Sequence, residues 1–143
     1  MFKKKFNKEK KESSSNKNIL IVALLVHAAK IDENYTEAEK DIIKKVIMQL
    51  NSINIIEAEK LLKLAEKKEE ESNQIIEFTG EIKKYSMEIR LKIIEIIWKL
   101  VYSDDTNNVY ESNLIRRICG LLYISDKDNG IIKTKVQNYI KKI

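Results

Sequence analysis

An internal repeat constrains this sequence most strongly, because residues 24–50 align with residues 96–122 at a constant offset of 72. Each copy contains an apolar segment, an aspartate, six further residues, a glutamate and a second apolar segment. The acidic positions of the two copies are Asp32 and Asp104, and Glu39 and Glu111. Because a hairpin of two amphipathic helices needs a partner to cover its apolar face, the repeat predicts two helical hairpins that pack together, each with an acidic loop.

The composition favours an all-α fold. The chain has 143 residues, no proline and only three glycines, so helices can run long and tight glycine turns between strands are scarce. A chain of this length can bury a core without disulfides, and the single Cys119 excludes an internal one and fits a reducing compartment. We predict one all-α domain over residues 17–143, preceded by a flexible basic tail over residues 1–16.

The net positive charge of the chain comes from its N-terminal segment. Residues 1–17 account for the whole formal charge of +5, and the rest of the chain has equal numbers of basic and acidic side chains. We therefore expect no nucleic-acid partner for the folded part. The tail is either solvated or makes weak contact with an anionic membrane through its lysines, Phe2 and Phe6. The apolar run Ile19–Ala29 is shorter than the roughly 20 residues that span a bilayer, so we interpret it as a buried helix.

Helix-start signals divide the domain into about seven predicted helices. The clearest is Thr36-Glu37-Ala38-Glu39, which has the pattern of a capping box. The predicted helices begin near Lys17, Thr36, Asn54, Asn73, Ser86, Asn108 and Ser125. Apolar residues at helical spacing are expected to face the core in each helix. The residues expected to face the core include Leu50, Ile76, Ile89, Ile131 and Tyr139.

Three segments resemble the TerB-like family, which includes the tellurite-resistance protein TerB and the N-terminal-type domain of the co-chaperone DjlA. They are ALLVHAAKID at residues 23–32, RLKIIEIIWKLVYSD at residues 90–104 and ESNLIRRICGLL at residues 111–122. The resemblance covers about residues 18–140, although the glycine that commonly follows the aspartate in the family's acidic turns is missing. It implies a TerB-like helical bundle, a non-enzymatic role in protein interaction during stress response, and an acidic surface suspected of metal binding. It also implies a location in the cytoplasm, with association with the inner membrane through the basic tail as the alternative.

The candidate metal ligands are the four repeated acids, Asp32, Glu39, Asp104 and Glu111, which match the acidic positions of the family. Such oxygen ligands would suit calcium, magnesium or manganese. A structural alternative stays open, because Glu39 and Glu111 also occupy the third position of capping boxes, and Asp32 and Asp104 are ordinary residues at helix ends. An EF-hand is excluded, since the twelfth position counted from either aspartate is isoleucine.

Other reactive groups have simpler structural interpretations. The single histidine His27 lies in an apolar helix, Cys119 lies on an apolar stripe, and Trp98 is expected in the core. Arg90, Arg116 and Arg117 can recognise carboxylate or phosphate groups, but arginines on amphipathic helices more often stay solvated or pair with nearby acids. We therefore predict no enzymatic activity, a monomeric state and a protein partner whose identity the sequence does not give.

Overall fold

In a computed structural model, the described residues are 19–30, 35–72, 74–102 and 109–141, and they form seven helices. The first helix, α1, spans residues 19–29. The others are α2 (Glu37–Asn51), α3 (Ile55–Glu71), α4 (Ile76–Ile82), α5 (Met87–Tyr102), α6 (Val109–Leu121) and α7 (Asp126–Lys141). These ranges contain no strand, which confirms the predicted all-α fold. The predicted tail lies outside the described residues.

Side-chain caps begin most of the helices where the sequence predicts them. In the capping box of α2, Thr36 Oγ1 accepts from the backbone N–H of Glu39 at 3.1 Å, and the Glu39 carboxylate accepts from the backbone N–H of Thr36 at 3.0 Å. Side-chain oxygens of Asn54, Ser86 and Ser125 accept in the same way from the backbone of Glu57, Ile89 and Asp128. The predicted cap at Asn108 lies outside the described residues.

Helix α4 is shorter than the predicted span of residues 73–84. At its start, the backbone N–H of Glu77 donates to the carbonyl of Gln74, three residues earlier, as in a 3₁₀ turn. At its end, the backbone N–H groups of Lys84 and Tyr85 donate to the carbonyls of Glu81 and Ile82. These acceptors lie three residues earlier and not four, so the chain forms a tighter turn and the α-helix stops.

Helices α1 and α5 form the centre of the core, as their nearly continuous apolar sequences predict. Residues 22–26 of α1 are completely buried, and seven residues of α5 are buried. One hydrophobic cluster joins side chains from all seven helices. Equivalent positions of the repeat are buried together in it, namely Leu24 with Ile96, Ile43 with Ile115 and Ile47 with Cys119. Helix α3 packs on α2, and α7 packs on α5.

Five apolar residues that the sequence places in the core are instead exposed, so that part of the prediction is wrong. They are Leu50, Ile76, Ile89, Ile131 and Tyr139. The two copies of the repeat differ here, because Leu50 is 49% exposed whereas its counterpart Leu122 is completely buried. The apolar stripes of these helices are wider than the faces that neighbouring helices cover. Within the described ranges, no helix combines the length and the apolar character needed to cross a bilayer.

Candidate functional site

An apolar groove of about 700 Å³ lies between α1, α5, α7 and the end of α2. Its lining includes the buried side chains of Ile21 and Ile96 and three of the exposed residues, Leu50, Ile89 and Ile131. Ile89 and Ile131 are 44% and 57% exposed. Apolar side chains that gather in one concave surface, rather than lying singly, are typical of binding sites.

Helices α5 and α7 form two walls of the groove, and the lining residues of each wall lie at helical spacing. Glu88, Lys92 and Glu95 are four and three residues apart on α5, and Asp128, Ile131 and Lys135 are three and four residues apart on α7. Residues at these spacings share one face of a helix. The two faces meet across the groove because α5 packs against α7.

Charged residues surround the groove. Lys92 Nζ lies 3.2 Å from one carboxylate oxygen of Glu95, and Lys135 Nζ lies 3.0 Å from the other. Burial alone would favour the protonated form of Glu95, but hydrogen bonds from Lys135 and Lys92 outweigh it and lower the pKa of this carboxyl group. Within the described part of the chain, Glu88 and Asp128 form no ion pair. On the rim of the groove, Lys92 and Lys135 are therefore paired with Glu95, whereas the carboxylates of Glu88 and Asp128 have no ion-pair partner among the described residues.

The predicted metal ligands are placed only in part. Glu39 is 3% exposed and uses one carboxylate oxygen in its capping box, where it accepts from Thr36 N and Thr36 Oγ1 at 3.0 Å each. Asp32 and Asp104 lie outside the described residues, as does the side chain of Glu111. Among the residues that are described, no three His, Cys, Asp or Glu side chains form a group able to hold a metal ion.

An acidic environment nevertheless surrounds the start of α2. The hydroxyl oxygen of Tyr35 is buried and has no hydrogen-bond partner among the described residues. Burial first, and then the negative charges of Glu66, Glu39, Glu37 and Glu69, raise the pKa of Tyr35 well above its usual value. Carboxylates of α2 and α3 thus gather around one phenol. Glu66 and Glu69 were not predictable as neighbours of Tyr35, because their proximity to α2 comes from packing and not from the repeat.

Comparison with known families decides the classification. The family model described as "Tellurite resistance protein TerB" matches residues 18–134. This chain belongs to the TerB family. The match spans both hairpins and the first half of α7, and it confirms the resemblance seen in the sequence. Searches of curated proteins and of solved structures gave no match.

In this TerB-family chain His27 takes part in a polar cluster with Glu69 and Lys30. His27 is half-buried, with Nδ1 3.2 Å from Glu69 Oε1, and Lys30 Nζ donates to Glu69 Oε2 at 3.0 Å. Glu69 lies on α3, so the cluster joins the ends of α1 and α3. His27 therefore lies at the boundary of the core.

Cys119, Trp98 and Arg90 have structural positions in the TerB-family domain, whereas Arg116 and Arg117 are exposed. Cys119 is buried, and this burial, with a smaller contribution from the charge of Asp126, raises the pKa of its thiol to about 12. Trp98 is buried as predicted. Arg90 donates to the backbone carbonyls of Tyr85 and Leu122 at 3.0 Å and 2.6 Å, which ties α5 to the segments that follow α4 and α6. These contacts favour a structural role for Arg90 over the recognition of a phosphate.

Proposed function

We propose that this TerB-family chain is a non-enzymatic, monomeric interaction domain that acts in a tellurite-resistance-type stress response in the cytoplasm. In this proposal the apolar groove binds a segment of a partner protein. The observation that carries the proposal is the concave cluster of Leu50, Ile89 and Ile131, whose apolar surface stays in contact with water in the described structure. Covering such surface is favourable by about 25 cal/mol per Å².

The charges of the rim indicate the chemistry of the partner segment. Glu88 and Asp128 are unpaired, whereas Lys92 and Lys135 are held by Glu95. A segment that carries apolar side chains for the groove and lysine or arginine for the rim would satisfy both requirements. A co-chaperone-like role, of the kind that the likeness to the DjlA domain suggests, is compatible with such a site.

Peptide selection tests this proposal. A displayed library of random 12-residue peptides is selected on the full-length protein, and the enriched peptides are titrated in solution. We expect them to combine basic with aromatic or aliphatic residues and to shift the amide resonances of α5 and α7 beside the groove. Replacing Ile131→Lys should weaken their binding by at least about tenfold, equivalent to 1.4 kcal/mol.

The matched control is Ile56→Lys. Ile56 lies on α3 outside the groove and is 63% exposed, close to the exposure of Ile131. If the selected peptides bind both variants equally well, or shift amides elsewhere on the protein, the groove is not the interaction site.

A second candidate function is the binding of a divalent cation by Asp32, Glu39, Asp104 and Glu111. It is favoured by the gathering of carboxylates around Tyr35 at the start of α2, because carboxylate oxygens that lie close together are the ligands that a divalent cation prefers. Oxygen ligands of this kind would hold calcium, magnesium or manganese.

A cation titration followed by amide NMR tests this candidate. Each metal is added to the wild type and to the double variant Asp32→Asn/Asp104→Asn. Saturable shifts near residues 31–39 and 103–111 that disappear in the variant would support a paired site. If no shift occurs at millimolar cation, these acids act only as caps and turn residues.

A further inference from the structure

The apolar groove begins where the N-terminal segment joins the domain. Ile21, in the first turn of α1, lines the groove, and residues 1–18 precede this helix directly. About fifteen residues separate Phe6 from Ile21, and an extended chain of that length reaches about 50 Å. The N-terminal segment is therefore long enough to reach any part of the groove.

The N-terminal segment also has the chemistry that the groove requires. It contains two aromatic residues, Phe2 and Phe6, among lysines that give residues 1–17 a formal charge of +5. The groove offers exposed isoleucine and leucine side chains, and its rim has the unpaired carboxylates of Glu88 and Asp128. A volume of about 700 Å³ lies within the range of sites that enclose drug-sized groups, so aromatic side chains can enter it.

We propose that residues 1–18 occupy the apolar groove of the same chain, with Phe2 and Phe6 inserted between α5 and α7 and the lysines beside Glu88 and Asp128. The segment thereby competes with partner proteins for this surface. This inference rests on the proposed function in one respect, that the groove binds protein segments. Covalent attachment favours the internal occupant, because a short linker keeps a tethered ligand at millimolar effective concentration.

Paramagnetic relaxation measures the occupancy directly. A nitroxide is attached to Asn7→Cys in the full-length, ¹⁵N-labelled protein, and amide peak intensities are compared before and after reduction of the label. The native Cys119 can stay, because it is buried with a raised thiol pKa, and a stoichiometry of one label per chain checks this. We expect strong broadening at Ile89 and Ile131 and none at Ile56. The pattern should disappear when Phe2 and Phe6 are both replaced by serine.

Two control samples separate the other possible partners of the segment. In a mixture of labelled ¹⁴N protein with unlabelled ¹⁵N protein, broadening at the groove would show that the segment binds a second copy, which overturns the proposal. A sample with vesicles of phosphatidylglycerol tests the membrane. If broadening at Ile89 and Ile131 is absent without vesicles and the segment binds only to them, the segment is a membrane contact and the proposal is wrong.

The binding of partner segments in the groove and the internal docking of residues 1–18 can be overturned separately. If the segment occupies the groove, the Phe2→Ser/Phe6→Ser variant should bind selected peptides about tenfold more tightly than the wild type, because an internal ligand that fills about nine-tenths of the sites lowers the apparent affinity by that factor. Equal affinity without broadening at the groove overturns internal docking and leaves the groove as a partner site. Broadening at the groove without any binding of external peptides overturns the proposed function instead.

Discussion

His27 Nδ1 lies 3.2 Å from Glu69 Oε1, although the two residues are 42 positions apart in the chain. The same carboxylate accepts from Lys30 at 3.0 Å. The end of the most buried helix is thus fixed to α3 by polar contacts at the boundary of the core. Charge-assisted contacts to a mostly buried carboxylate are stronger than those of exposed pairs.

We predict that Glu69→Gln lowers the free energy of unfolding by about 1 kcal/mol at pH 7, because the two donors of α1 lose a charged acceptor. Urea denaturation measures the change. The matched control is Glu70→Gln, since Glu70 is 70% exposed and its nearest contact with Lys30 is 3.8 Å. Equal effects of the two substitutions would mean that the cluster contributes no more than an ordinary surface charge.

The capping box of α2 leads to a second prediction. Thr36→Ala removes the oxygen that accepts from the backbone of Glu39 and one of the donors to the Glu39 carboxylate. Loss of such a cap costs about 0.5–2 kcal/mol, and we expect the upper half of this range because Glu39 is buried. Thermal and urea unfolding give the value.

Thr134→Ala serves as the control for the cap. Its hydroxyl also donates a hydrogen bond, at 3.0 Å to the carbonyl of Gly130, but it lies on an exposed part of α7 and caps no helix. We expect a change within about 0.5 kcal/mol. A loss as large as that of Thr36→Ala would contradict the assigned role of the capping box.

The architecture is largely readable from the sequence because its signals are local. Helix caps such as Thr36 and Asn54 depend on neighbours three residues away, and the repeat indicates which stripes are equivalent. The predicted bounds are less accurate for α4. At both ends of this helix, backbone N–H groups donate to the third preceding carbonyl, and these 3₁₀-type hydrogen bonds make the α-helix shorter than predicted. Such turns depend on packing, which periodicity does not report.

The groove was not predictable for a related physical reason. Leu50 and Leu122 occupy equivalent positions of the repeat, and Ile89 lies at helical spacing from the buried residues Ile93 and Ile96 of its own helix. Periodicity shows that a side chain belongs to an apolar face, but it does not show how far the neighbouring helices extend over that face. The capping-box pattern of residues 36–39 correctly predicts the role of Glu39 in a cap, whereas the metal site of the acidic repeat stays a prediction.

The ion pairs of Glu95 lead to a prediction about pH. Because the pKa of Glu95 is lowered in the folded protein, its contribution to stability is present above the pKa of the unfolded chain and is lost as the pH falls through the folded value. We expect Glu95→Gln to destabilise the protein at pH 7 by about 0.5–1 kcal/mol, since both lysines are exposed. The difference from the wild type should shrink at acidic pH.

Urea denaturation of both proteins from pH 7 to pH 3 measures this difference. Glu81→Gln is a suitable control, because Glu81 also pairs with a lysine, Lys84 at 3.5 Å, but is itself exposed. A difference between wild type and Glu95→Gln that stays constant or grows at low pH would contradict the lowered pKa.

The bond between Trp98 and Asn129 gives the last prediction. Trp98 Nε1 donates to Asn129 Oδ1 at 2.9 Å across α5 and α7. Asn129→Ala leaves the indole N–H without this acceptor, and an unsatisfied buried donor costs about 1–3 kcal/mol. We expect that loss in urea denaturation, with a shift in the emission of the only tryptophan. Asn138→Ala, at an exposed position of the same helix, should change neither quantity. If Asn129→Ala unfolds like the wild type, another group or water satisfies the indole, and this bond does not fix α7 against α5 beside the groove.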